Sequence, residues 1–391
     1  MNKNKKLQEL ELALNSLVIF RRLLTNEVMV PLRQLLDTEM TDPVVQLRQY
    51  AEFVARLYPH GTDLTDYLLR IVLEDDNFYM RMLARGEQPN EQIDLCAKNE
   101  LLILQRLSRL RPAELQKEIS YYGVLPEWTV SEIDFGLAYA DRVRDIARFG
   151  YGQFAKYRMF WLRDGRIVPV LHPDPVLPET LCGYTRERSA VEENLLLLLD
   201  GRPAQNVLLC GDAGTGKSAT VKALVNAYAD RGLRLIQIPK EQLHALPEVA
   251  DEIAENPLKF IIYIDGLTFS PAEPLPELKA MLEGSVSALP ANAVICATGN
   301  LTKLPEEPEQ RSLLGRFGLR VEFDTPDKDT YLEIVQELAQ RSGLEPGAEG
   351  LADGAEAFAK EGAGRSPRTA RQFIERMTAE RPPEGKDQPE A

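Results

Sequence analysis

Asn206-Val207-Leu208-Leu209-Cys210-Gly211-Asp212-Ala213-Gly214-Thr215-Gly216-Lys217-Ser218 is the stretch on which the reading of this chain turns. Val207 to Cys210 form an uninterrupted apolar run, which reads as a short buried strand. Gly211, Gly216, Lys217 and Ser218 then satisfy G-x-x-x-x-G-K-[ST], and a helical pattern follows from Ala219 to Tyr228. The glycines let the backbone turn tightly, so that successive N–H groups point inward at phosphate oxygens. A helix opening at Lys217 adds its N-terminal partial positive charge at the same spot. In that geometry Lys217 reaches the β- and γ-phosphates, and the Ser218 hydroxyl is a ligand for magnesium. The competing reading is a Gly-rich turn that binds nothing. It is weakened by the strand before and the helix after. Gly211, Asp212, Ala213, Gly214, Thr215, Gly216, Lys217, Ser218 and Ala219 are therefore the expected nucleotide-binding loop.

The bulk composition sets the frame around that loop. A chain of 391 residues suggests two or three domains. Its 44% hydrophobic content is ample for packed cores, and 27% charged residues is ordinary for a soluble protein. No stretch approaches the apolar length that spans a bilayer. The opening Met1-Asn2-Lys3-Asn4-Lys5-Lys6 is basic, but the following mix with Glu9 and Glu11 is not a signal-peptide core. The cytoplasm is the expected location. Cys96, Cys182, Cys210 and Cys296 show neither metal-type spacing nor a disulfide framework. With only 3 histidines, a zinc or His-based catalytic site is disfavoured. A net charge of −14 and a pI near 5.0 argue against a surface built to grip nucleic acid. They leave a local basic patch open.

Along the chain, residues 1–150 read as a helical domain. Leu7, Leu10, Leu14, Leu17 and Val18 recur at helical spacing, as do Leu64, Tyr67, Leu68, Ile71 and Val72. Leu101, Leu102, Leu104, Leu107 and Leu110 suggest a helix packed on several sides. Arg111-Pro112 and Leu125-Pro126 look like breaks. No residue cluster in this half proposes a reaction, so its expected role is structural or partner binding. Residues 151–175 read as a β-hairpin with an Asp164-Gly165 turn, followed by the stiff linker His172-Pro173-Asp174-Pro175. Trp161 reads as cover for a small core more readily than as a ligand-stacking ring.

Residues 176–325 alternate helices with apolar strands. The strands are the P-loop strand, then 233–238, 260–265, 293–300 and 319–323. Such strands predict a parallel sheet covered on both faces, with ligands outside its carboxyl ends. Lys217, Asp265 and Asn300 all fall there. Residues 326–380 return to helices, and 381–391 carry no apolar content and are expected to be disordered.

Asp265 closes a strand downstream of the P-loop, where a carboxylate can support magnesium opposite Ser218, usually through its water shell. Without the P-loop it would read as a turn residue. Asn300 ends a neighbouring strand, where its amide can orient an attacking water. Taken alone, it reads as a turn after Gly299.

Together these features resemble the AAA+ ATPases. Gly211 to Ser218 matches Walker A, Ile261 to Asp265 matches Walker B, and Asn300 matches sensor 1. Leu314-Gly315-Arg316-Phe317-Gly318 is similar to the arginine-phenylalanine box, in which Arg316 would act on a neighbouring subunit. The alternative is a local pair between Arg316 and Glu322 or Asp324. Gly364-Arg365-Ser366-Pro367-Arg368 resembles sensor 2, with Arg368 the matching arginine. Leu181-Cys182-Gly183-Tyr184 resembles the adenine-pocket segment, which adds Gly183 and Tyr184 to the expected binding residues. Residues 150–377 further resemble a bacterial family of single-module AAA+ ATP-binding proteins of unassigned function. The matching segments include Phe154-Ala155-Lys156-Tyr157, His172-Pro173-Asp174-Pro175 and Ala370-Arg371-Gln372-Phe373. The resemblance implies an α/β P-loop core with a helical lid, ATP and Mg2+ as ligands, and possible homo-oligomers.

One departure matters. Walker B strands of that superfamily usually end in two acidic residues, the second being the base that activates water. Here Gly266 follows Asp265. Glu273, Glu277 and Glu283 lie downstream and read as surface carboxylates. The leading expectation is an Mg-dependent ATPase that remodels or recruits a protein partner through the N-terminal helices. Its rivals are a non-hydrolysing nucleotide-gated switch, which Gly266 favours, and a helicase-loader-like nucleic-acid partner, which the net charge disfavours. A small-molecule P-loop kinase ranks last, since it has no need of Asn300 or the lid arginine.

Overall fold

The computed structural model describes residues 5–37, 42–268, 275–283, 288–299, 308–362 and 364–379. Chain contacts divide it into two compact units. One comprises Met1–Lys156 with Glu255–Leu258, and the other Tyr157–Ala254 with Lys259–Ala391.

The first unit is built from helices, the longest being Pro43–Leu57 and Glu91–Ser108. Short polar residues start several of them. Asp42, Asp63, Asn77, Asn90 and Asp134 each accept a backbone N–H of the first turn that has no partner within its helix. Pro112 opens a helix of its own at a position where a missing N–H costs nothing. The core gathers Phe20, Tyr50, Phe53, Leu104 and Phe135, all without measurable exposure. Trp128 stands edge-on to Phe53 at 4.9 Å, and its indole N–H donates to the Leu110 carbonyl at 2.8 Å. Leu102 departs from the expected all-round packing of its helix: it is 58% exposed, while Leu101, Leu104 and Leu107 face the core.

Glu100 holds this core together by an unusual device. Its buried carboxylate accepts the backbone N–H groups of Val18 at 2.7 Å, Ile19 at 3.0 Å and Phe20 at 2.9 Å. The segment leaving the first helix thus finds in one side chain the partners a regular element would have supplied. Replacing Glu100 with alanine leaves two buried donors and one part-buried donor unmet and should destabilise this unit by about 3 kcal/mol. The chain has 2 tryptophans, so in a Trp161→Phe background the fluorescence of Trp128 follows this unit's urea unfolding alone.

The second unit carries one seven-stranded sheet. Its strands are β1 (Met159–Arg163), β2 (Arg166–Pro169), β3 (Val207–Gly211), β4 (Leu233–Gln237), β5 (Lys259–Leu267), β6 (Ala293–Gly299) and β7 (Leu319–Phe323). Their order is β2-β1-β4-β5-β6-β3-β7, and every neighbouring pair is parallel except β1 with β2. The expected hairpin forms, and Asp164 and Gly165 both take positive φ (50° and 70°), as a two-residue turn of matching twist requires. Its place differs from the sequence reading. It is no separate linker element, because β1 pairs in parallel with β4 and extends the sheet. β5 also runs further than expected, continuing past Asp265 to Leu267 across a register shift against β6.

This order places the P-loop strand β3 between β6 and β7, with β5 one strand beyond β6. Val207, Leu208, Leu209, Ile261, Ile262 and Ile295 are all fully buried, which is the condition that favoured unbroken apolar runs over alternation. After β7 come three helices, Lys328–Arg341, Leu351–Glu361 and Pro367–Ala379. They enclose a small core of Tyr331, Ile334, Leu338, Ala355, Ala370 and Phe373, into which Cys182 also packs. The fold is the expected α/β P-loop core with a helical lid.

Candidate nucleotide site

The loop after β3 has the shape its glycines imply. At Gly211, φ is +130°, and an added Cβ would lie 2.1 Å from the Phe323 carbonyl oxygen at the end of β7. No side chain fits there. The helix Lys217–Tyr228 follows Gly216, and no side chain caps its first turn. A helix start without such a cap, wrapped in a loop of this kind, offers N–H groups to an anion. Within the loop the Lys217 ammonium donates to the carbonyls of Gly211 at 2.7 Å and Asp212 at 2.6 Å. Burial pushes its pKa down, while the Asp212 and Asp265 charges oppose that shift. Thr215 closes the loop from inside by donating to the Asp212 carbonyl at 2.9 Å. Asp212 and Ala213 are exposed at the loop tip.

Ser218 and Asp265 meet as the sequence implied. The Ser218 hydroxyl lies 3.3 Å from Asp265 Oδ1. These two side chains are the expected magnesium partners, and their side-by-side placement fits a divalent cation bound by Ser218 with Asp265 supporting it. Gly266, next in the chain, has φ +71° and sits where the register of β5 against β6 shifts. Its N–H donates to Thr298 Oγ1 at 3.0 Å. This is left-handed backbone, which a glutamate would occupy only under strain. The missing second acid is thus tied to the backbone itself. Of the downstream carboxylates, Glu273 lies outside the described residues, Glu277 is half-buried and Glu283 is exposed. Gly266→Ala should cost about 1 kcal/mol of stability by its positive φ alone, read from denaturant midpoints.

The far end of the cleft is lined by Leu181, Tyr184, Thr215, Phe323, Leu338 and Arg371. Gly183 and Tyr184 both take positive φ (69° and 53°), which turns the chain into the helix Thr185–Leu199. The Tyr184 ring lies 5.2 Å from that of Phe323, and its hydroxyl donates to the Asp324 carbonyl. Burial pushes the Tyr184 phenol up, and it pushes the neighbouring Cys182 thiol up to about 11. Arg188 donates to the Gly183 carbonyl. The cleft therefore has flat apolar walls at one end and the phosphate loop at the other.

A family model described as "Protein of unknown function (DUF815)" matches residues 154–381. The chain belongs to this family. The matched span covers the hairpin, the P-loop core and the lid. Among solved structures, the chain is similar to the RuvB Holliday junction branch migration motor of Thermotoga maritima. The identity is 16% and the TM-score 0.37, over 52% of this chain and 65% of that one. A mutant of the same motor gives a TM-score of 0.38 at 16% identity, with the same coverage of 52% and 65%. The chain thus spans less than two thirds of these chains' length. No curated protein matches the sequence. This DUF815 chain therefore carries a P-loop on a mostly parallel α/β sheet, with Lys328–Arg341, Leu351–Glu361 and Pro367–Ala379 following β7.

In this family member the lid separates two arginines that the sequence placed side by side. Arg365 forms a two-pronged pair with Glu356 at 2.8 and 2.9 Å, wholly within the lid. Arg368 instead reaches the phosphate loop: its backbone N–H lies 3.3 Å from the Gly214 carbonyl. A Cβ added at Gly214 would meet Arg368 Cβ at 3.3 Å and Ser366 Oγ at 3.0 Å. Arg316 is exposed and forms no ion pair with a described carboxylate; Glu322, one of its suggested partners, pairs with Arg320 at 2.6 Å. Asn300 lies outside the described residues.

Two residues of the site escaped the sequence reading. The hydroxyls of Tyr263 and Thr298 both donate to Asp265 Oδ1. Tyr263 was in principle legible, since residues two apart on a strand share a face. Thr298 was not, because it comes from β6. The two lid arginines should also separate in experiment. Arg365→Ala should lower the thermal midpoint by a few degrees, whereas Arg368→Ala should leave it unchanged and weaken nucleotide binding.

Proposed function

We propose that this chain binds ATP with Mg2+ and couples the bound state to its lid, and through it to recruiting or remodelling a protein partner held by the N-terminal helices. The observation that carries this reading is the contact between the lid and the phosphate loop, Arg368 N–H to the Gly214 carbonyl at 3.3 Å. Lys217 would exchange its two backbone carbonyls for phosphate oxygens, a trade favoured by the full negative charge of the phosphate. Tyr184 and Phe323 would wall the base, and Arg368 would approach the phosphates from the lid side. Bound Mg2+ would neutralise charge on the phosphate oxygens. Ser218 and Asp265 are the residues that would hold it.

The resemblance to AAA+ ATPases would make the chain an ATPase, with Asn300 orienting water and Arg316 completing a neighbour's site in a homo-oligomer. The exposure of Arg316 supports the second half of that reading. Gly266 supports slow turnover. A positioned general base contributes about 10²- to 10⁴-fold, and the residue that would supply it has neither a side chain nor a backbone suited to one. The second reading, a switch that binds ATP without useful turnover, rests on that same glycine.

Steady-state ATP hydrolysis measured against protein concentration, with nucleotide binding in parallel and Lys217→Ala as the blank, separates the two. Specific activity that climbs with concentration and collapses in Arg316→Ala is expected of an ATPase completed between subunits. Tight binding with turnover no higher than the blank would leave the switch. Absence of binding would end both.

A further inference from the structure

Three hydroxyls converge on one oxygen of Asp265. Oδ1 accepts from Tyr263 at 2.9 Å, from Thr298 at 2.5 Å and from Ser218 at 3.3 Å. Tyr263 and Thr298 are 1% and 3% exposed, so both hydroxyls are buried groups that must find partners inside the protein. Thr298 Oγ1 also accepts the Gly266 N–H at 3.0 Å, so one threonine pins the backbone turn and the carboxylate together. No described side chain donates to Oδ2.

The torsion that sets where an aspartate's two oxygens face is soft and broad. A carboxylate on an exposed stretch of strand would therefore sample many orientations, and Asp265 stands on such a stretch of β5. Hydrogen bonds to a charged acceptor are about twice as strong as neutral ones, and two of them on a single oxygen fix that rotation. Ser218 is the loosest of the three donors and the one wanted elsewhere, so it can leave without releasing the carboxylate.

We infer that Tyr263 and Thr298 are positioning residues for the metal: they lock Asp265 through Oδ1, so that Oδ2 is presented to a divalent cation beside Ser218. This rests on the magnesium-nucleotide reading above. It also assigns the otherwise unexplained tyrosine in an apolar strand a task. Gly266 belongs to the same device, since its left-handed turn delivers the N–H that orients Thr298.

The test is equilibrium binding of a fluorescent ATP analogue to the full chain, titrated with MgCl2 and repeated in EDTA. It compares wild type with Thr298→Val, Thr298→Ser and Tyr263→Phe, each checked for an unchanged thermal midpoint. Loss of a residue that orients a metal ligand typically lowers metal affinity by about 10- to 100-fold. Thr298→Val should therefore raise the half-saturating Mg2+ concentration about tenfold. Tyr263→Phe removes only a hydroxyl and should shift it in the same direction. Thr298→Ser should restore the wild-type curve, and affinity in EDTA should not change in any variant. Wild-type Mg2+ curves in both Thr298→Val and Tyr263→Phe would overturn the inference while leaving the nucleotide reading intact. So would an equal loss of affinity with and without Mg2+, which marks a merely structural role. A wild-type protein that binds no nucleotide would instead remove the reading on which the inference rests.

Discussion

The close approach of Gly211 to the Phe323 carbonyl is the constraint from which the rest of the nucleotide unit follows. β3 and β7 pair in parallel, and the phosphate loop must leave β3 where β7 ends and the chain turns toward the lid. Only a residue without a side chain passes that point. The consequence is that the residues leading into the lid are held by the residues before and inside the loop. Tyr184 donates to the Asp324 carbonyl, and Thr325 donates to the Asp212 carboxylate. Asp212 is thereby both a loop residue and an anchor for the lid's entry. The loop has a hydrogen-bonded route to the lid's entry through Asp212 and Thr325, and a second where the Arg368 N–H meets the Gly214 carbonyl.

The same sheet explains the arrangement around Asp265. β6 lies between β3 and β5, so a side chain near its end can reach both Asp265 and the turn that follows it. Thr298 fills that place. The register shift at Gly266 then trades one function for another. Regular backbone there would have suited a second acid, whereas the left-handed turn supplies an N–H that organises the first. Asp265 is well held in this arrangement, and no second acid stands next to it in the chain.

Much of this was legible without coordinates. The P-loop needed only its glycines, its Lys-Ser pair and the apolar run before it, because local backbone requirements fix all three. Apolar strands alternating with helices announced a buried parallel sheet. Asp164-Gly165 announced its own turn. Less legible was what that hairpin does, since β1 pairs in parallel with β4, Met159 opposite Leu235, and so distant a partner leaves no trace in local pattern. Leu102 misled for a related reason: an apolar residue on a helix is not obliged to be buried.

The sequence by itself determined the local chemistry: where the backbone must turn, which strand carries a carboxylate at its end, and that no acid follows it. These depend on residue type and on neighbours in the chain. Only the tertiary structure decided that Arg365 is taken up by Glu356, which oxygen of Asp265 is held, and that a threonine from β6 does the holding. Arg365 and Arg368 differ by three positions, yet one is consumed by Glu356 within the lid and the other meets Gly214. Such assignments follow from which strands lie side by side and which helix end abuts which loop. They are set by packing the whole sheet and lid, and no window of sequence contains them.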